Sequence, residues 1–226
     1  MKQQANPHFA AYYRRLVINQ VLGARIQADS ILDVGCDDGY LLSDQEGELK
    51  IGLDLAPRVL PDEDLSVVQA DGLALPFADR SMSCILAFDI IEHIEDDNAF
   101  IASLTRVLGP GGRLWLSTPT ETSFLFPAFL TRRLIRRWGH QRVGYNVDDL
   151  VNRFPPDYKV EVTLWNARSF RFLYLPLWAL SRFSSQAARL GAQVCFEMDR
   201  LLAQGQDHIF LKVTGGESPV DKESHT

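Results

Sequence analysis

Carboxylates and glycines recur in this chain where short apolar runs stop. Ile31-Leu32 leads directly into Asp33-Val34-Gly35-Cys36-Asp37-Asp38-Gly39. Glycines at 35 and 39 let a backbone turn tightly and approach a ligand with no Cβ in the way. Asp54 closes the next run, roughly 20 residues beyond Asp33, where an acid accepts both hydroxyls of a ribose. Asp71-Gly72 follows a third run and could accept from the exocyclic amine of a purine. A fourth run ends in Phe88-Asp89-Ile90-Ile91-Glu92-His93. One glycine-rich turn alone is an ordinary strand-to-helix connection. Four consecutive polar run ends define a crevice.

The elements that would position these groups follow from periodicity. Short runs at Ile31–Gly35, Leu49–Leu53, Leu65–Val68, Met82–Phe88 and Leu114–Ser117 suit strands buried on both faces. The first thirty residues read as a helix, with Asn6-Pro7 as its cap and first turn. A second helix is expected over Asp97–Leu108, stopped by Gly109-Pro110-Gly111-Gly112. Alternation at this spacing predicts an α/β fold with a doubly wound, mainly parallel sheet. Asn146 caps a short helix, Lys159–Leu164 alternates like a strand, and Asp207–Val213 reads as the last strand. The chain is expected to be one domain over residues 1–214, with an N-terminal helix over 1–28. Insertions fall at 120–145 and 166–204, and residues 215–226 read as a disordered tail.

Composition excludes several classes. With 226 residues, 46% hydrophobic and 23% charged, the chain can bury a real core. Three cysteines, Cys36, Cys84 and Cys195, cannot staple a fold and suggest reduced thiols in the cytoplasm. No clustered Cys/His spacing predicts a metal site. The N-terminus lacks a signal-peptide pattern, and no stretch approaches the roughly 20 apolar residues that span a bilayer. A net charge of −6 argues against nucleic acid as a partner. Arg132, Arg133, Arg136, Arg137 and Arg142 nevertheless lie in a stretch without acids.

The segments ILDVGCDDGY, GLDL, QADGLALPFADRSM, LAFDIIEHIEDD and RVLGPGGRLWLSTP resemble the successive motifs of the class I S-adenosylmethionine-dependent methyltransferases. The ubiquinone-type, small-molecule branch is the nearest. The resemblance is strong over residues 29–119 and weak over 138–213. It implies a Rossmann-like seven-stranded sheet whose last strand is antiparallel, and S-adenosyl-L-methionine as cofactor. Asp33, Gly35, Cys36, Asp37 and Gly39 then surround the methionine part. Asp54 takes the ribose with Leu55 beside the adenine, Asp71, Gly72 and Leu73 hold the adenine, and Phe88 lines the cofactor. Asp37 stands where the family usually has glycine, and its charge would repel the cofactor's carboxylate unless directed at the amine or sulfonium. A nicotinamide dinucleotide is the poorer match, because the turn lacks the GxGxxG spacing.

His93 matches the histidine of the family's Glu-His pair. It could take a proton from the methyl acceptor, or simply brace the loop before the next helix. Tyr12, Arg133, His140 and Tyr145 are the candidate acceptor-facing residues. Phe126, Phe129, Leu130, Leu134 and Trp138 could form an apolar stripe opposite the arginines. Such a helix suits an anionic membrane surface or an anionic acceptor, or is a lid with solvated arginines. Phe170–Phe183 could wall a hydrophobic acceptor pocket. The expectation is methyl transfer to a small, hydrophobic or lipid-linked acceptor, with contact to the inner face of a membrane. A cofactor-binding scaffold without turnover is the alternative, motivated by Asp37 and the open role of His93.

Overall fold

The computed structural model describes residues 8–58, 64–124, 137–202 and 205–215, with positions 129, 131 and 133. Seven strands form one sheet: β1 (Gln27–Val34), β2 (Glu46–Asp54), β3 (Ser66–Gln69), β4 (Met82–Phe88), β5 (Leu108–Pro119), β6 (Lys159–Trp165) and β7 (His208–Thr214). Their order is β3-β2-β1-β4-β5-β7-β6. Every ladder is parallel except the two made by β7, which is antiparallel to both β5 and β6. Strand order reverses beside β1, so a crevice opens outside the carboxyl ends of β1 and β4. Both strands are continuous apolar runs there because both faces are covered. β6, at the edge, is largely exposed.

On one face lies α3 (Asp97–Val107), whose N-terminus is capped by Asp96 accepting from the Ala99 N–H at 2.9 Å. Phe100, Ile101, Leu104 and Val107 recur at helical spacing and pack against Ile85, Leu114 and Ile209. Phe100 is fully buried, so its truncation to alanine would cost about 3–5 kcal/mol. The short helix α4 (Val147–Val151) joins this layer, with Asn146 accepting from the Asp148 and Asp149 N–H groups. On the other face α1 (Phe9–Leu22) and α6 (Ser185–Leu201) cover Ile31, Leu86 and Phe210, and α5 (Arg168–Ser181) packs on α6. A one-turn helix, α2 (Tyr40–Ser43), follows the first turn.

Three expectations need correction. The N-terminal helix ends at Leu22, because Gly23 turns into the left-handed region and donates to the Asn19 carbonyl; residues 27–28 already belong to β1. Its cap is His8, while Asn6 and Pro7 lie outside the described residues. Gly109–Gly112 does not stop α3 from outside: it forms the first part of the 12-residue β5, and a register shift between Met82 and Cys84 absorbs it. Of the expected tail at 215–226, Gly215 donates its N–H to the Gly112 carbonyl at 2.9 Å, and residues 216–226 lie outside the described residues.

Candidate active site at the strand ends

The turn after β1 is held by its neighbour strand: the Gly35 and Cys36 N–H groups both donate to the Leu53 carbonyl. Gly35 sits at φ +80, and a Cβ there would meet Ile90 Cδ1 at 2.6 Å. The Cys36 side chain lies over Gly52, and burial followed by the Asp33 and Asp54 charges pushes its thiol up to about 12. Asp37 adopts φ 47, a conformation aspartate tolerates better than most residues. Its carboxylate pairs with Arg58 through both oxygens, so the charge that would repel a carboxylate is neutralised.

Asp54 is aimed by two backbone donors, Asp37 N–H at 3.1 Å and Ala56 N–H at 2.9 Å, one on each oxygen. Each oxygen keeps a lone pair for a further donor. Asp71 accepts from the Leu73 N–H at 2.9 Å, which fixes the turn bearing Gly72. Leu55 and Leu73 are exposed apolar side chains beside these acids. Asp33 is buried at 4% exposure, and burial, then the Asp54 and Asp38 charges, push its carboxyl up to about 7. A buried carboxylate among other acids favours a cationic ligand group. An aimed carboxylate for vicinal hydroxyls, apolar surface for a base and a carboxylate seeking a cation fit an amino-acid nucleoside. Phe88 packs into the core against Phe210.

Beside this crevice a cavity of about 600 Å³ lies between α1, α5 and the ends of β4 and β5. Tyr13, Phe170, Tyr174, Trp138, Trp165 and Phe210 supply its aromatic wall. Arg58 joins the two spaces, lining the cavity while gripping Asp37. Asp89, at φ 52, anchors the floor: it receives His208 Nε2 at 2.7 Å, Arg14 Nε at 2.7 Å and the Ser117 hydroxyl at 2.8 Å. Burial alone would raise its carboxyl, but His208 and Arg14 hold it well below the usual range. Glu92 goes the other way, pushed up to about 8 by burial and then by Asp89, and it faces the Thr118 hydroxyl at 3.1 Å.

His93 and His140 meet at the cavity with ring centroids 4.3 Å apart. Burial lowers both, and His140, also facing His93, falls to about 4. Both rings are therefore neutral at neutral pH. Glu92, His93 and His140 also bring one ligating atom each within 4.8 Å of one another. No sequence spacing announced that trio, because the fold brings the loop carrying His140 against the 3-10 turn Ile91–His93. A carboxylate with two imidazoles could hold a divalent ion.

The four candidate acceptor residues do not converge. His140 lines the cavity, whereas Tyr12 turns toward Gln193 of α6 at 3.3 Å and its neighbour Tyr13 takes the wall position. Tyr145 is buried, joined to Asp97 at 3.0 Å and to Arg142, and Arg133 is exposed. Of the proposed stripe, Phe129 is 80% exposed and Trp138 is 40% exposed, while Phe126, Leu130, Leu134, Arg132 and Arg136 lie outside the described residues. Arg14, Arg58, Arg171 and His208 line the cavity unannounced by any motif.

Residues 32–116 match the model of a methyltransferase domain family. Over that stretch the chain is similar to S-adenosylmethionine-dependent methyltransferases. It is 32% identical over 121 residues to a probable S-adenosylmethionine-dependent methyltransferase of Mycolicibacterium smegmatis, covering 50% of this chain and 47% of that one. A ubiquinone biosynthesis O-methyltransferase of Xanthomonas oryzae is 34% identical over 108 residues, covering 42% and 45%. The chain thus spans about half the length of the curated relatives it matches. Haemonchus contortus phosphoethanolamine N-methyltransferase 2, solved with S-adenosyl-L-methionine, shares the fold at TM-score 0.59 and 17% identity, over 91% of this chain and 52% of that one. S-adenosylmethionine is the cofactor of the family these relatives represent.

Proposed function

We propose that this methyltransferase transfers a methyl group to a small, largely apolar acceptor held in the cavity between α1 and α5. The observation that carries the reading is the position of that aromatic cavity, which shares Arg58 with the nucleoside crevice and opens on His93 and His140. S-adenosylmethionine supplies an electrophilic methyl group on a sulfonium when bound. Asp54, fixed by two backbone donors, would orient the nucleoside, and Asp33 would meet the ammonium. The aromatic wall would exclude water and align the acceptor for in-line displacement. Where the acceptor atom carries a proton, the neutral ring of His93 or His140 would accept it. A scaffold without turnover loses its motive at Asp37, whose charge is paired with Arg58.

Among the described residues no helix is long and apolar enough to cross a membrane. Exposed Phe129 and Phe183, with the exposed Arg133 and Arg137 following Phe129 in the sequence, support peripheral contact with a lipid surface and a lipid-linked acceptor. Incubation with cofactor carrying a labelled methyl group and a small-molecule extract tests the reading. Label should pass to extractable organic compounds, and Asp54→Ala should cut the transfer sharply when the cofactor is limiting. Tight cofactor binding with no transfer to any extract fraction would favour the scaffold.

A further inference from the structure

Arg171 projects from the first turns of α5 into the wall of the cavity. One terminal nitrogen donates to the Asp207 carbonyl at 3.1 Å, and its Nε–H is buried with no partner. A guanidinium cannot shed its charge in a protein, and leaving its buried Nε–H unpaired is costly.

The carboxylates whose charge reaches it, Asp207, Asp89 and Asp199, accept from other donors and stand beyond ion-pair distance. Asp207 accepts from the Ala167 N–H at 3.1 Å. Asp199 accepts from the Tyr13 hydroxyl at 2.6 Å and from the Ser169 and Phe170 N–H groups, closing the N-terminus of α5. Asp89 is shared by Arg14, His208 and Ser117. Among the described residues no carboxylate lies within ion-pair distance of Arg171. The other two arginines of the cavity are paired, Arg14 with Asp89 and Arg58 with Asp37.

We infer that Arg171 recognises an anionic group, carboxylate or phosphate, on the acceptor, seated against Tyr13, Phe170 and Tyr174. This rests on the acceptor reading of the cavity and narrows it to amphiphilic anions with an apolar body. The planar fork of a guanidinium suits either oxyanion through two parallel hydrogen bonds.

Calorimetry with 2-naphthoate, 2-naphthyl phosphate and neutral 2-naphthamide, in the presence of S-adenosylhomocysteine, tests the inference. At least one anion should bind about tenfold tighter than the amide, and the stronger of the two identifies the oxyanion. Arg171→Met should erase the difference, while Arg171→Lys should retain part of it. Equal binding of charged and neutral probes, no binding of any probe, or discrimination that survives Arg171→Met would overturn it. The wild-type comparison stands even if a variant fails to fold. S-adenosylhomocysteine affinity, titrated separately, distinguishes this failure from failure of the cofactor reading.

Discussion

The two halves of the crevice are built on different principles. Around β1 and β2 the groups are held by near neighbours: Asp54 by the backbone of Asp37 and Ala56, Asp71 by Leu73, and Gly35 by Leu53. Around β4, β5 and β7 they are held by distant side chains. Asp89 meets His208 across 119 residues, and Tyr13 meets Asp199 across 186. Backbone-fixed geometry survives sequence drift at most positions, whereas a side-chain network can be rebuilt for a new acceptor. On the proposed function, the first half would hold the cofactor and the second the acceptor.

The largest effect is expected at Gly35→Val. The branched side chain would collide with Ile90 at a left-handed backbone position, so S-adenosylhomocysteine binding should disappear in calorimetry. Retained binding would break the claim that backbone geometry builds this half.

The acidic groups sharpen the comparison through pH. Glu92 is raised from 4.5 to about 8, so the folded state holds its proton more tightly than the unfolded chain. Its stabilising contribution is present in full below its ordinary value and is lost as pH rises toward about 8. Asp33, raised from 3.8 to about 7, adds to the same decline. Asp89, held low, contributes in the opposite sense, and its stabilisation is lost only in strong acid. The lowered His93 and His140 act in the opposite sense up to about pH 6.5. Thermal melts of the cofactor-free protein should therefore fall from about pH 6.5 to about pH 8, and Glu92→Gln should flatten that slope. A flat wild-type profile would contradict these assignments.

Smaller is the consequence of Asp37→Gly. The substitution relieves φ 47 but releases a solvent-exposed pair with Arg58, worth up to about 1 kcal/mol in general. Cofactor affinity should change only a few-fold. A large loss would show that the Asp37–Arg58 pair itself grips the cofactor.

The same division explains what the sequence made legible. Strands buried on both faces leave continuous apolar runs, so β1, β4 and the core of β5 were readable, as were the acids that end them. Asn146 was readable as a cap because its partners are two and three residues away. The end of the N-terminal helix was misplaced because apolar residues continue past Gly23 at helical spacing. The glycines at 109–112 resembled a stop because nothing local reveals a strand bulge paired with β4. Tyr13 was passed over for Tyr12, one position along the same helix, since both fit the apolar periodicity. Arg171 and His208 carry no local signal, because their roles depend on elements brought together only by the sheet.

The central claim is that the crevice ending β1, β2 and β3 is a nucleoside site organised around Asp54. Calorimetric titration of wild-type protein and Asp54→Ala with S-adenosylhomocysteine tests it most directly. Wild type should bind this ligand and not a nicotinamide dinucleotide, and the folded variant should lose about 1.5–3 kcal/mol of binding free energy. Equal affinity of the two proteins, or preference for the dinucleotide, would contradict the account.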